Sequence, residues 1–190
     1  MPEAATYVLP PTVSREALLE GGSDRRFRTL VSDLFTIAAR MEMVRTHLGR
    51  RLGITGPQYS LMVAVAHLQG QTGVSVGALA EALHVSSAFV ATETGKLGRR
   101  GFLLKRTNPQ DRRSVLLSIA PAGRLKLDRL SVEIRAINDQ FFGGLDAASF
   151  ATMAAAADAL VKSSRTAVRG LSERKAPPRG AAAKTARVAG

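Results

Sequence analysis

The sequence predicts a mainly α-helical chain with one small β-hairpin, in which short helices and the hairpin make a lobe flanked by long helices. Three observations predict it. Apolar residues recur at alternating spacings of three and four from Phe27 to Leu48 and again from Leu127 to Phe141, the period of a helix face. Thr55, Ser75 and Ser86 each precede a short apolar segment, the place of an N-cap whose side-chain oxygen accepts an otherwise unpaired backbone N–H. Two runs rich in Leu, Val, Phe and Ile, residues 102–106 and 114–119, flank a polar turn at residues 107–113. At 190 residues the chain is long enough to bury a core, and its size argues against a two-domain metabolic enzyme.

The elements follow in order. Residues 1–22, with Pro2, Pro10, Pro11, Gly21 and Gly22, read as an arm or short capping segment. Leu30, Leu34, Ile37, Met41, Val44 and Leu48 mark a long helix over about 24–50, within a dimerisation segment at 23–52. Thr55, with Pro57 in the first turn, opens an apolar helix through Tyr59, Leu61, Met62, Val65 and Leu68 that ends at Gln69-Gly70. Ser75 caps a short helix carrying Leu79, Ala80 and Leu83. Ser86 caps the next, whose expected buried face is Phe89, Val90 and Leu97 and which stops at Gly101. The hairpin completes a lobe at 53–120. Pro121 starts a second long helix, through Leu130, Ile134 and Ile137, broken at Gly143-Gly144. Asp146 caps a last helix through Phe150, Met153, Ala157 and Leu160 to about Leu171, so that 121–172 is a second dimerisation segment. Residues 173–190, with two prolines and five basic residues, read as a disordered basic tail.

Charge narrows the function. Lys and Arg number 27 against 15 Asp and Glu, a net +12 with a pI near 11.3, which suits a polyanionic partner. Residues 75–113 alone carry +4. There is no cysteine, so disulfides, thiolate metal sites and thiol-based sensing are excluded. No apolar run is long enough to span a bilayer, and the N-terminus lacks the basic and apolar regions of a signal peptide, so a cytoplasmic protein without a membrane partner is expected. The chain shows no glycine-rich phosphate loop, no HExxH and no nucleophile–base set, so no enzyme, catalytic residue or cofactor is expected. His47, His67 and His84 are isolated, and no metal site is expected.

Two short helices joined by a tight turn and followed by a basic hairpin form a winged helix-turn-helix pattern. A major groove about 12 Å wide admits one helix, and a hairpin can lay an extended Arg into the adjacent minor groove. The second short helix would present Ser86, Ser87, Ala88, Thr92 and Lys96 to double-stranded DNA. Hydroxyls suit phosphates and base edges, and Ala88 suits a thymine methyl.

The segments Leu79-Ala80-Glu81-Ala82-Leu83-His84-Val85-Ser86, Leu97 with Arg100-Gly101-Phe102-Leu103, and Asn108-Pro109-Gln110-Asp111-Arg112-Arg113 resemble the multiple-antibiotic-resistance regulator (MarR) family, over roughly residues 28–172. The resemblance implies that Arg113 enters the minor groove, that Asp111 holds the wing in shape, and that Arg112 contacts phosphate or pairs with Asp111. The chain departs from the family pattern at Thr92, where many relatives carry Arg, and at Glu93, a usually apolar position. His84 stands where relatives often have Gly, and the tolerance of His for left-handed backbone gives it a turn role.

The resemblance also implies a homodimer built by the terminal helices. A three-four stripe at both ends of a small lobe calls for the same partner, with a bundle within one monomer as the alternative. Two-fold symmetry then predicts a palindromic operator with half-sites about 34 Å apart. Relatives are usually repressors released by a small aromatic or phenolic ligand. Arg40, Met43 and His47 at three-four spacing, with Tyr59 and Met62 on the next helix, would suit an aromatic carboxylate or a related CoA thioester. The alternative is a solvated Arg40 with Met and Tyr residues filling the core. A competing function is an architectural DNA-binding protein with little sequence preference and no ligand control.

Overall fold

The computed structural model describes Tyr7 and residues 9–173. The expected basic tail, apart from Glu173, and the first residues of the arm lie outside the described residues. The elements are α1 (Arg25–Arg51), α2 (Gly56–Leu68), β1 (Val74–Ser75), α3 (Val76–Leu83), α4 (Ser87–Arg99), β2 (Leu103–Thr107), β3 (Val115–Ile119), α5 (Pro121–Phe141) and α6 (Ala147–Glu173). A mainly helical chain with a small sheet is what the periodicity predicts. The chain divides into two compact units, residues 1–137 and 138–190.

In the first unit each predicted cap is made. The Thr55 hydroxyl accepts the Gln58 amide at 3.3 Å while the Gln58 side chain accepts the Thr55 amide at 3.2 Å, a reciprocal box at the start of α2. Ser75 caps α3 through the Ala78 amide at 3.1 Å, and Ser86 caps α4 through the Phe89 amide at 3.2 Å. The core gathers Leu48 and Leu52 at the end of α1, Leu61, Met62 and Val65 of α2, Leu79, Val90, Leu97, Leu117 and Leu130. Only the C-terminal end of α1 enters it; Leu30, Leu34 and Phe35 are exposed. Before α1, the buried Asp24 accepts from the Thr12 amide at 2.7 Å and the Thr12 hydroxyl at 2.8 Å, which fastens the arm to the helix start.

The sheet has three strands in the order β1-β3-β2, all antiparallel, where the sequence predicts two. The extra strand is only Val74–Ser75, paired with Leu117 and Leu116, and Ser75 is also the cap of α3. Two residues are too few to show a period. In β2 and β3 the register pairs Leu103 with Ile119 and Thr107 with Val115, leaving residues 108–114 as the tip.

In the second unit, Asp146 Oδ1 accepts the Ser149 amide at 2.8 Å and caps α6 as expected. Phe150, Leu160 and Val168 on α6 are exposed. Among the described residues, no helix is long and apolar enough to cross a membrane.

Candidate nucleic-acid interface

The turn that aims α4 depends on His84, which has φ 54° and ψ 41°, the left-handed region. The amide of Val85 beyond it donates to the carbonyl of Ala80 at 3.1 Å and closes α3, so only three residues separate α3 from α4. The helix that follows buries Val90, Thr94 and Leu97, spaced four and three apart, and exposes Ser86, Ser87, Ala88, Thr92 and Lys96. Phe89 departs from the expected buried face. It is 37% exposed, because it lies about 100° round the helix from Val90, and Thr94 takes the inward position. The buried Thr94 hydroxyl donates to the Val90 carbonyl at 2.6 Å, so it needs no partner across the core.

Glu93 fixes this helix to α2. Its carboxylate accepts from Gln58 Nε2 at 2.7 Å and from Lys96 Nζ at 2.6 Å. These two donors, Lys96 foremost, hold the Glu93 carboxyl below its ordinary value. Gln58 therefore serves twice, closing the capping box with its oxygen and reaching α4 with its nitrogen. Only the box is visible as spacing in the sequence. Lys96 stays exposed, but its charge is already paired inside the chain.

The wing tip is shaped by its own polar side chains. Asp111 Oδ1 accepts the Arg113 amide at 3.1 Å, Asn108 Oδ1 accepts the Gln110 amide at 3.0 Å, and Asn108 Nδ2 donates to Ser114 Oγ at 3.0 Å. Asp111 thus holds the backbone that carries Arg113, and among the described residues no ion pair joins its carboxylate to Arg112. The side chains of Arg112 and Arg113 are exposed. At the root of the wing, the Arg106 guanidinium donates to the Thr72 carbonyl and ties β2 to the loop before β1. A hairpin with a basic end, its tip and root held by polar contacts, therefore stands beside a helix with a small, hydroxyl-rich exposed face.

The five residues read as a ligand site divide by depth. Arg40, Met43 and His47 are exposed on α1, whereas Tyr59 is 7% exposed and Met62 fully buried in the core. Burial pushes the Tyr59 phenol above its ordinary value. His47 Nε2 lies 2.6 Å from Glu133 Oε1, and Arg51 Nε donates to Glu133 Oε2 at 3.0 Å, so a carboxylate of α5 already holds that end of α1. A cavity of about 430 Å³ is lined by Thr72, Arg106, Asn108, Pro109, Gln110 and Leu116 among others, and by none of the five. Among the described residues, no group of three His, Asp or Glu side chains is placed to hold a metal ion.

The MarR family model matches residues 54–115, which run from two residues before α2 to the first residue of β3. No curated protein sequence matches the chain. Among solved structures, the transcriptional regulator SlyA is 18% identical, with a TM-score of 0.60, over 77% of this chain and 99% of its own. A point mutant of MarR from E. coli complexed with operator DNA is 16% identical, with a TM-score of 0.59, over 70% and 93%. The PcaV transcriptional regulator from Streptomyces coelicolor, in complex with its natural ligand, is 27% identical, with a TM-score of 0.52, over 67% and 91%. The segment that matches the MarR family model is the one that builds the turn, the exposed helix face and the wing, and in that segment the chain is similar to the MarR family.

Proposed function

We propose that the chain is a DNA-binding transcriptional regulator, a cytoplasmic homodimer that represses from a palindromic operator. One observation carries the reading. The exposed face of α4 with Ser86, Ser87, Ala88 and Thr92 lies on a capped helix beside a wing whose tip is held by Asp111 and Asn108 with Arg112 and Arg113 outermost. In this reading α4 enters the major groove and Arg113 the neighbouring minor groove, while Arg112 and the surrounding cations supply phosphate contacts. The likeness to a MarR–operator complex supports the arrangement at the level of fold.

The experiment is binding at fixed salt to a duplex from the chain's own upstream region against a random duplex. Arg113→Ala is expected to weaken operator binding by about 1–3 kcal/mol, roughly 5- to 150-fold, the scale of one good groove contact. Unchanged affinity would remove the wing from the interface. A second reading, an architectural DNA-binding protein, is favoured by the paired state of Lys96, which leaves small side chains as the main base readers on α4. It predicts an operator-to-random ratio near one.

Ligand control is the remaining part of the proposal. A small aromatic or phenolic acid, or its thioester, would lodge its charge at Arg40 and His47 beside Met43. Its ring would reach Tyr59 and Met62 only after α1 and α2 part, which couples binding to a change in the reading heads. PcaV, solved with its natural ligand, supports the idea by likeness. Titration of aromatic acids against operator affinity checks it, and no change across the series would refute it.

A further inference from the structure

Gly95 and Gly98 lie within the thirteen-residue helix α4, where glycine is the weakest ordinary helix former. Packing does not demand either of them. A Cβ on Gly123 would press on the Phe102 carbonyl and come within 2.9 Å of Ile119 Cδ1, and one on Gly49 would meet the Thr55 carbonyl oxygen at 2.8 Å. At Gly95 and Gly98 nothing lies nearer than 3.8 Å, and neither residue has a positive φ. The chain therefore carries two helix-weakening residues for which the fold gives no reason.

What surrounds them supplies one. The Gly95 Cβ position is 3.8 Å from Arg99 Nη1 and 3.8 Å from Lys105 Nζ, so the two cationic heads, one from α4 and one from β2, stand no more than twice that distance apart. Lys105 reaches there by lying across Gly98, with its Cε 3.9 Å from that Cβ position. Both side chains are exposed, and neither takes part in an ion pair among the described residues. Lys96, one turn before Arg99, is by contrast neutralised by Glu93. Two like charges converging over bare backbone repel each other unless an anion sits between them. Gly95 follows Ala88 by seven residues and Thr92 by three, so this notch continues the exposed face of α4 at its seam with the wing.

From this juxtaposition we infer that Arg99, Lys105 and the bare backbone at Gly95 form a seat for one DNA backbone phosphate. The guanidinium offers a planar fork and the ammonium a point charge to the same phosphodiester, and the missing methyl leaves room for its oxygens. The seat rests on the reading of the lobe as a duplex-DNA binder. It adds affinity and sets the depth of α4 without reading sequence.

The test is the salt dependence of duplex binding by the full chain. Replacing both cations, Arg99→Gln with Lys105→Gln, is expected to make the slope of log affinity against log salt shallower by about 0.9, one phosphate's worth, equally on operator and random duplex. Gly95→Ala keeps both charges and puts a methyl between them. It should hold or raise the thermal midpoint, since Ala is the better helix former, and yet lose affinity for both duplexes. Wild-type slope and affinity in the folded double variant and in Gly95→Ala would overturn the seat while leaving the DNA reading in place. Failure of the native chain to bind any duplex would overturn both.

Discussion

Glu93 is a carboxylate set among groups that prefer it charged, and it makes stability depend on pH in a defined direction. Lys96 first and Gln58 second lower its pKa below the ordinary 4.5. A carboxyl whose folded pKa is lowered contributes stability that is complete above the unfolded value and lost as pH falls through the folded one. Glu133, lowered chiefly by His47, and Asp24, lowered chiefly by Thr12, act in the same direction. In Glu93→Gln the thermal midpoint should fall by about 2–4 °C at pH 7 and lose less than the native chain does below pH 4.5. Melts from pH 7 to pH 3 check this, and parallel curves for the two proteins would dismiss the latch. The same substitution frees Lys96, so duplex binding should tighten while the fold weakens. At this scale the sequence was readable where a residue's own chemistry decides its conformation, as with His84 in its left-handed turn. It misleads at Phe89, an apolar side chain that stands off the buried phase of its helix, and it is silent on Gln58 reaching α4, because that partner is 35 residues away.

Elements whose ends are local were legible. Thr55, Ser75, Ser86 and Asp146 all cap helices as their spacing predicts, since a cap bonds an amide three residues on. Strand β1 was not, because it exists only through its pairing with β3. Close approach between elements was equally hidden. The start of α5 runs against the residue that leads into β2 at Gly123, where any Cβ would meet the Phe102 carbonyl, and Phe102 O already accepts the Ala120 amide at 3.0 Å. Helix propensity alone favours Gly123→Ala by up to about 1 kcal/mol. Crowding at an immobile carbonyl should reverse that sign and destabilise the chain by about 1–3 kcal/mol, as overpacking does. Urea denaturation reads the difference directly, and a more stable variant would mean that α5 stands clear of the strand.

For the molecule as a whole, the question is what covers the apolar stripe that runs the length of α1. The lobe takes Leu48 and leaves Leu30, Leu34 and Phe35 in solvent; within the second unit, Phe150, Leu160 and Val168 are likewise exposed. The three-four spacing made these helices legible in the sequence, but a stripe does not name its partner. A second copy, as proposed, would answer the need, since it would supply the same surfaces and place two reading heads on one duplex. The native chain should then sediment at twice 20.2 kDa. Leu30→Lys with Leu34→Lys puts charges on the stripe without touching the lobe core. That variant should sediment as a single copy at micromolar concentration, keep a cooperative melt, and bind a palindrome no better than one half-site. The three readouts separate the possibilities: a variant that stays paired would place the contact elsewhere on the chain, whereas a native single copy that still prefers the palindrome would show that pairing is not what selects the operator.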